Sequence, residues 1–152
     1  MNLPDIRTLL PQAGAMVLLD RLLAADADKL CAELEICPGS LFCDGQGVGA
    51  WVGVEYMAQA VAAHAGYAAY LRGEPVKVGF LLGARRYEAG RPMFALGSVL
   101  HVHVQRALQG ENGLAAFECR IDDAVSGVTA ASATITVFEP ANATVFLERS
   151  AA

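Results

Sequence analysis

Glu55 is the single acid between Asp44 and Arg72, in a stretch that holds no lysine or arginine. Its surroundings, GQGVGAWVGVEYMAQAVAAHAGYAAYL, are apolar, small or glycine. A run of this kind belongs inside a protein, where an unpaired carboxylate is costly. Burial disfavours the charged form of a carboxyl group, which poises such groups for proton transfer near neutrality. Gln59 lies one helical turn on and would orient the carboxylate. Asp44, in the loop before the apolar run, is the nearest titratable residue in sequence and the candidate base. His64 would stand about 13.5 Å from Glu55 along a helix, too far to serve the same reacting carbon.

Other groups are weaker. His101-x-His103 resembles a metal pair, but the sequence offers no third ligand, so a solvated or interface strand face is expected there. Gly45-Gln46-Gly47-Val48-Gly49-Ala50 fits a dinucleotide fingerprint, yet the chain lacks the alternating βαβ pattern that gives such a motif meaning. Cys43 has no activating base near it in sequence. Asp20-Arg21 reads as a structural ion pair or hydrogen-bonding couple at a strand end.

The elements that must hold Glu55 are visible in the periodicity. Pro4–Leu10 reads as a short helix, and Met16–Leu23 and Lys29–Ile36 as strands, the second alternating Leu30, Ala32, Leu34 and Ile36 against Cys31, Glu33 and Glu35. Cys37–Gly49 is a turn-rich loop. Trp51–Leu71 is apolar nearly all round, as expected of a helix wrapped by other structure and stopped by Gly73. Val76–Leu82, Phe94–Leu108, Leu114–Ile121 and Thr129–Phe138 read as strands, with hairpin signals at Gly110–Gly113 and Ser126-Gly127. Successive strands joined by tight turns, with one apolar helix, predict an α+β chain built on an antiparallel sheet.

The 152 residues fit one domain, 1–152, and 55% of them are hydrophobic against 18% charged. That excess points to an oligomer interface or a lipid-like ligand site beyond the core. A net charge of −5 argues against nucleic acid. Arg85-Arg86 with Arg91 is the one local basic cluster. No signal peptide and no membrane span are expected, since Glu55, Gln59 and His64 interrupt the long apolar run, and the chain reads as cytoplasmic. Cys31, Cys37, Cys43 and Cys119 lack zinc-type spacing and would stay thiols in a reducing compartment.

Val54-Glu55-Tyr56-Met57-Ala58-Gln59-Ala60 resembles the V-E-A-M-A-Q motif on the central helix of the hotdog 3-hydroxyacyl-acyl-carrier-protein dehydratases. Leu10-Pro11 with Leu18-Leu19-Asp20-Arg21 is similar to their N-terminal stretch, and LFCDGQGVGAWVGVEYMAQ is closer still to the dehydratase-like proteins of aryl-polyene clusters. The resemblance implies a hotdog fold, in which a long central helix is wrapped by a curved antiparallel sheet. It also marks a departure. The loop histidine expected fourteen residues before the glutamate is Leu41, although the phenylalanine that follows is kept as Phe42.

Dehydration of a 3-hydroxyacyl thioester needs a base at C2, an acid at the departing C3 hydroxyl and donors for the thioester oxygen. The resemblance implies that Glu55 faces the hydroxyl and that Ala50 and Trp51 present helix-start amides to the thioester. Phe42 and Gln59 would complete the substrate-binding wall. No cofactor is implied. The expected partners are an acyl carrier protein or a coenzyme A thioester, and a second subunit. That subunit is either an identical copy or a related dehydratase supplying the missing histidine. Two other readings fit the same residues: a hotdog thioesterase in which Glu55 activates water, and a non-catalytic acyl-binding subunit.

Overall fold

A computed structural model describes residues 3–76, 80–110 and 112–138. One long helix, α1 (Gly53–Leu71), lies against a six-stranded antiparallel sheet. The strands are β1 (Arg21–Ala25), β2 (Lys29–Glu35), β4 (Phe80–Ala89), β6 (Val99–Gln109), β7 (Leu114–Asp123) and β8 (Thr129–Phe138), in spatial order β1-β2-β6-β7-β8-β4. A two-stranded ribbon of β3 (Gly47–Gly49) and β5 (Met93–Ala95) stands at the start of the helix. This is the α+β hotdog architecture implied by the resemblance.

Alternation decides which face of the sheet meets α1. Leu30, Ala32 and Leu34 of β2 are buried with Leu100, Val102 and Val104 of β6 and Phe117, Cys119 and Ile121 of β7. Their odd-numbered or even-numbered neighbours, Cys31, Glu33, His101, His103 and Asp122, stand on the other face and are half-buried. The period of two read from Lys29–Ile36 is the period observed.

Several boundaries differ from the sequence reading, each for a local reason. Pro4–Leu10 yields a single 3-10 turn at Ile6–Leu9, capped by the Asp5 carboxylate on the Arg7 N–H. Met16 closes a second 3-10 turn begun at Gly14, so β1 starts only at Arg21. The run expected as one strand from Phe94 to Leu108 is broken at Gly97, whose φ of +87° turns the chain between β5 and β6. Residues 77–79 of the expected Val76–Leu82 strand lie outside the described residues. Asp20 and Arg21 do not pair with each other. Asp20 accepts the Glu35 N–H at 2.7 Å, and Arg21 pairs with Glu33 at 2.7 Å, so each reaches across to β2.

Helix α1 ends as its sequence demands. Gly73 takes φ +69°, its N–H meets the Tyr70 carbonyl and the Glu74 N–H meets that of Ala69, the paired bonds of a Schellman stop. Along its length, Tyr56, Met57, Ala60, Val61, Ala63, His64 and Tyr67 are buried. One stripe is left half-open, running from Val54 and Glu55 through Ala58, Ala62 and Ala65. The expectation of a helix covered all round is corrected to that extent.

The tightest contact on α1 is Gly66. A Cβ there would fall 2.0 Å from the Leu9 carbonyl oxygen, a backbone atom that cannot step aside without moving the N-terminal turn. Gly66→Ala is therefore expected to destabilise the fold by about 3 kcal/mol, despite its gain in helix propensity. Urea unfolding of the two proteins checks this.

His64 is 1% exposed, with Nε2 3.1 Å from the Asp26 carbonyl and its ring edge-on to Phe117. Burial, with the nearby Arg106 guanidinium, pushes its pKa below the ordinary imidazole value, opposed by hydrogen bonding from the Asp26 backbone and by the Asp26 charge. The unfolded chain then binds the proton more readily than the folded one. Stability from this residue is full above about pH 6.5 and is lost as pH falls below that value. The slope of unfolding free energy between pH 7 and pH 5 should be shallower in His64→Gln than in the parent.

Candidate active site

The start of α1 is fixed from outside. Ala50 donates its N–H to the Pro92 carbonyl at 2.9 Å, and its own carbonyl accepts the Tyr87 hydroxyl. Two close approaches require glycine on either side of that turn. A Cβ on Gly47 would fall 2.2 Å from the Phe94 carbonyl oxygen, and one on Gly53 would fall 2.2 Å from the Tyr87 hydroxyl. The glycine-rich stretch that resembles a nucleotide loop is thus a packing device for the β3–β5 ribbon and the helix start.

Glu55 occupies the first turn of α1, half-buried rather than enclosed. Gln59, 1% exposed, sits one turn on. Its Nε2 donates to the Met16 carbonyl at 2.7 Å and to Glu55 Oε1 at 3.3 Å, while its Oε1 accepts the Leu18 N–H at 2.9 Å. One amide therefore ties the segment 16–18 across the helix and holds one oxygen of the carboxylate.

That segment roofs a cavity of about 400 Å³ lined by Glu55 and Gln59 with Met16, Leu18, Leu41, Phe42, Trp51, Val52 and Val54. Among the described residues, Glu55 is its one ionisable side chain and Gln59 its one amide. Leu41, the residue standing where the resemblance calls for histidine, faces into this same cavity. A second cavity of about 520 Å³ adjoins it and shares the walls Leu18 and Leu41. At the mouth, Phe42 and Trp51 lie with ring centroids 5.3 Å apart, 52% and 67% exposed, beside Met16 at 57%. Phe42 takes φ +70°, a conformation rare for a non-glycine residue, which is how the loop presents its ring to Trp51.

The other predicted residues fall into two groups. Phe42, Trp51 and Gln59 are brought to Glu55. Ala50 and Asp44 are not. Ala50, expected to offer its amide to a thioester, donates it to Pro92; the next N–H, of Trp51, meets no acceptor among the described residues, and that of Val52 belongs to the 3-10 turn 50–52. Asp44 is exposed, and its Oδ1 accepts the N–H groups of Gln46 at 2.9 Å and Gly47 at 3.2 Å. Those backbone donors hold its carboxyl below the ordinary aspartate value, and it lines neither cavity. A carboxylate so placed makes an Asx turn and is a poor proton acceptor.

All three histidines are accounted for away from the cavity. His64 is buried further along α1, and His101 and His103 are on the outer face of the sheet. The sequence reading did not anticipate Met16 and Leu18 as walls or Tyr87 as an anchor. The first two follow from the Gln59 amide, which requires two backbone partners once buried. Tyr87 left no signal in the sequence.

The sequence matches the family model described as ApeP-like, ApeP dehydratase, over residues 4–148. Among solved structures, the chain is similar to one in the dehydratase heterocomplex ApeI:P from Xenorhabdus doucetiae. That match has 22% identity over 96% of this chain and 97% of the other, with a TM-score of 0.84. It is also similar to zebra fish thioesterase superfamily member 2, at 16% identity over 88% and 92% of the two chains and a TM-score of 0.65. A hypothetical thioesterase with coenzyme A from Streptococcus pneumoniae is 13% identical over 78% and 84%, with a TM-score of 0.58. These likenesses establish the hotdog fold. No curated protein sequence matches the chain.

Gln59→Ala would leave the Leu18 N–H and the Met16 carbonyl without their buried partner. It is expected to cost at least about 2 kcal/mol in chemical denaturation. Hydrogen exchange at Leu18 should rise more than at the β6–β7 hairpin.

Proposed function

The chain belongs to the ApeP-like dehydratase family, and on that premise we propose that it supplies the carboxylate half of a shared dehydratase site. The substrate would be a 3-hydroxyacyl thioester on an acyl carrier protein, or on coenzyme A, in polyene-type or fatty-acid synthesis in the cytoplasm. The observation that carries this reading is a carboxylate held by Gln59 in an apolar cavity that no imidazole of its own chain lines. Leu41 cannot move a proton, so the C2 base would come from a second subunit.

The surface around Glu55 suits that arrangement. Met16, Phe42 and Trp51 form an exposed apolar rim, continuous with the half-open stripe of Ala58, Ala62 and Ala65 on α1. Contiguous apolar surface of this kind favours burial against a partner. The partner's imidazole would remove the C2 proton while Glu55 protonates the departing C3 hydroxyl, so that water leaves and a double bond forms. The N–H of Trp51, at the positive end of the helix dipole, would hold the thioester oxygen. Gln59 would keep one oxygen of Glu55 directed at the substrate. The Asp44 carboxylate is left with its turn, and the carrier's acidic surface would meet exposed Arg85, Arg86 and Arg91 beside the β4 edge. In this reading residues 1–152 are one hotdog domain, and a heterodimer with a histidine-bearing dehydratase is preferred to a homodimer.

The experiment is turnover of a 3-hydroxyacyl carrier-protein thioester by the chain alone and after mixing with a histidine-bearing dehydratase paralogue. Mass spectrometry would identify the product. Enoyl thioester is expected only from the mixture, and Glu55→Gln should lower its rate by at least about 100-fold while the complex still forms. Equal turnover by the chain alone would defeat the shared site. Parent-like rates in Glu55→Gln would remove this residue from the chemistry, and release of free acid would mean a hydrolase instead.

A further inference from the structure

The outer face of the sheet holds a group of side chains for which the Glu55 cavity has no use. Strand register sets Cys31 opposite His103 and His103 opposite Arg120; in the next outward row, Glu33 stands opposite His101 and His101 opposite Asp122. All of these project away from α1. One donor atom from each of Cys31, His101 and His103 lies within 4.8 Å of the other two. Cys31 Sγ is 3.9 Å from His103 Nε2, and Asp122 Oδ2 is 3.5 Å from the same nitrogen. Glu33 Oε2 is 2.9 Å from His101 Nε2. The third ligand that the His-x-His spacing lacked comes from the neighbouring strand.

A tetrahedral ion held at the bond lengths usual for zinc sets its ligand atoms roughly 3.3–3.6 Å apart. The Cys31–His103 separation exceeds that by a few tenths of an ångström, and the others among Cys31, His101 and His103 are at most 4.8 Å, up to about 1.5 Å too long, so binding requires these half-buried side chains to rotate inward and Asp122 to turn toward them from its place beside His103. We propose that Cys31, His101 and His103, with Asp122 as the fourth donor, bind a thiophilic divalent cation, for which zinc is the best fit. A thiolate with two imidazoles selects zinc over the hard cations magnesium and calcium. Glu33 would hold the His101 ring from behind, as carboxylates commonly do for metal-bound imidazoles. Four protein ligands leave no open position, so the ion would clamp β2, β6 and β7 together and do no chemistry. The site stands whether or not Glu55 takes part in dehydration.

Two forces oppose the ion, and both leave a signature. Asp122 is paired with Arg120 at 3.1 Å and must give up that bond, while Arg21 and Arg120 add positive charge nearby. Burial raises the Cys31 thiol to about 11, so the metal has to displace its proton into water. Binding then releases one proton at sulfur and tightens as pH rises. Burial, with Arg120, also lowers the pKa of His103 and keeps its ring neutral, as a ligand must be.

Cobalt(II) titrated into the purified chain is the test. One ion per chain is expected, with the visible bands of tetrahedral cobalt and a near-ultraviolet thiolate-to-cobalt band, both displaced by zinc. The thiolate band should vanish in Cys31→Ser, and affinity should fall by at least about tenfold in His103→Gln. Binding should be unchanged in Cys37→Ser and in Glu55→Gln. Zinc should also raise the melting temperature of the parent and leave that of Cys31→Ser where it was. Absence of saturable binding, or a thiolate band that survives in Cys31→Ser, would overturn the proposal.

Discussion

A buried amide organises the functional end of this molecule. Gln59 projects from a helix whose buried face is otherwise largely apolar, His64 apart, and at 1% exposure it cannot turn to water. Its oxygen and nitrogen must find partners inside, and they find the backbone of Leu18 and Met16. Satisfying that requirement draws the segment 16–18 over the first turns of α1. The same act roofs a cavity and leaves an N–H on Glu55. The site is in this sense a by-product of meeting one polar group's needs within an apolar core.

The electrostatic consequence is an incomplete constellation. Glu55 sits at the helix end whose dipole favours negative charge, beside apolar walls, and among the described residues no cation lines the cavity. Such a carboxylate can hold or give a proton. It cannot by itself supply the second proton-transfer group that an elimination across two carbons needs. In the proposed shared site, the second group would arrive over the exposed rings of Phe42 and Trp51 and the alanine stripe of α1.

What could be read from the sequence follows from how local each cause is. The inward and outward sets of β2, the body of the helix to Leu71 with its Gly73 stop, and β8 at Thr129–Phe138 are set by periodicity and caps, which a single chain displays, whereas the helix expected from Trp51 starts at Gly53 because residues 50–52 form a 3-10 turn. Glu55 and Gln59 were legible as a pair for the same reason, one turn apart on one helix. The misplaced elements depend on distant partners. Ala50 carries an amide that the family resemblance assigns to a ligand, whereas Pro92, far along the chain, accepts it. Asp44 is the exception: its partners, the N–H groups of Gln46 and Gly47, are local, and the Asp-Gly turn signal competes in sequence with its nearness to Glu55. The Cys31 contact to His103 spans 72 residues, beyond any spacing rule.

Tyr87 shows how chain length itself is constrained. β4 runs at the sheet edge, and between its pairings Arg85 with Thr134 and Glu88 with Ser132 it uses one residue more than β8 does. That bulge, with Arg86 in a left-handed conformation at φ +55°, breaks the alternation and turns the Tyr87 ring inward to the Ala50 carbonyl. The identity of residue 86 is open to drift, because its side chain points to solvent. The number of residues between 85 and 88 is not. Losing or gaining one would re-phase the edge and withdraw the phenol from the turn that begins α1. Substitutions at this edge are therefore tolerable where an insertion or deletion is not. A stretch of surface that looks free to vary is thereby counted, residue by residue, from the far side of the protein.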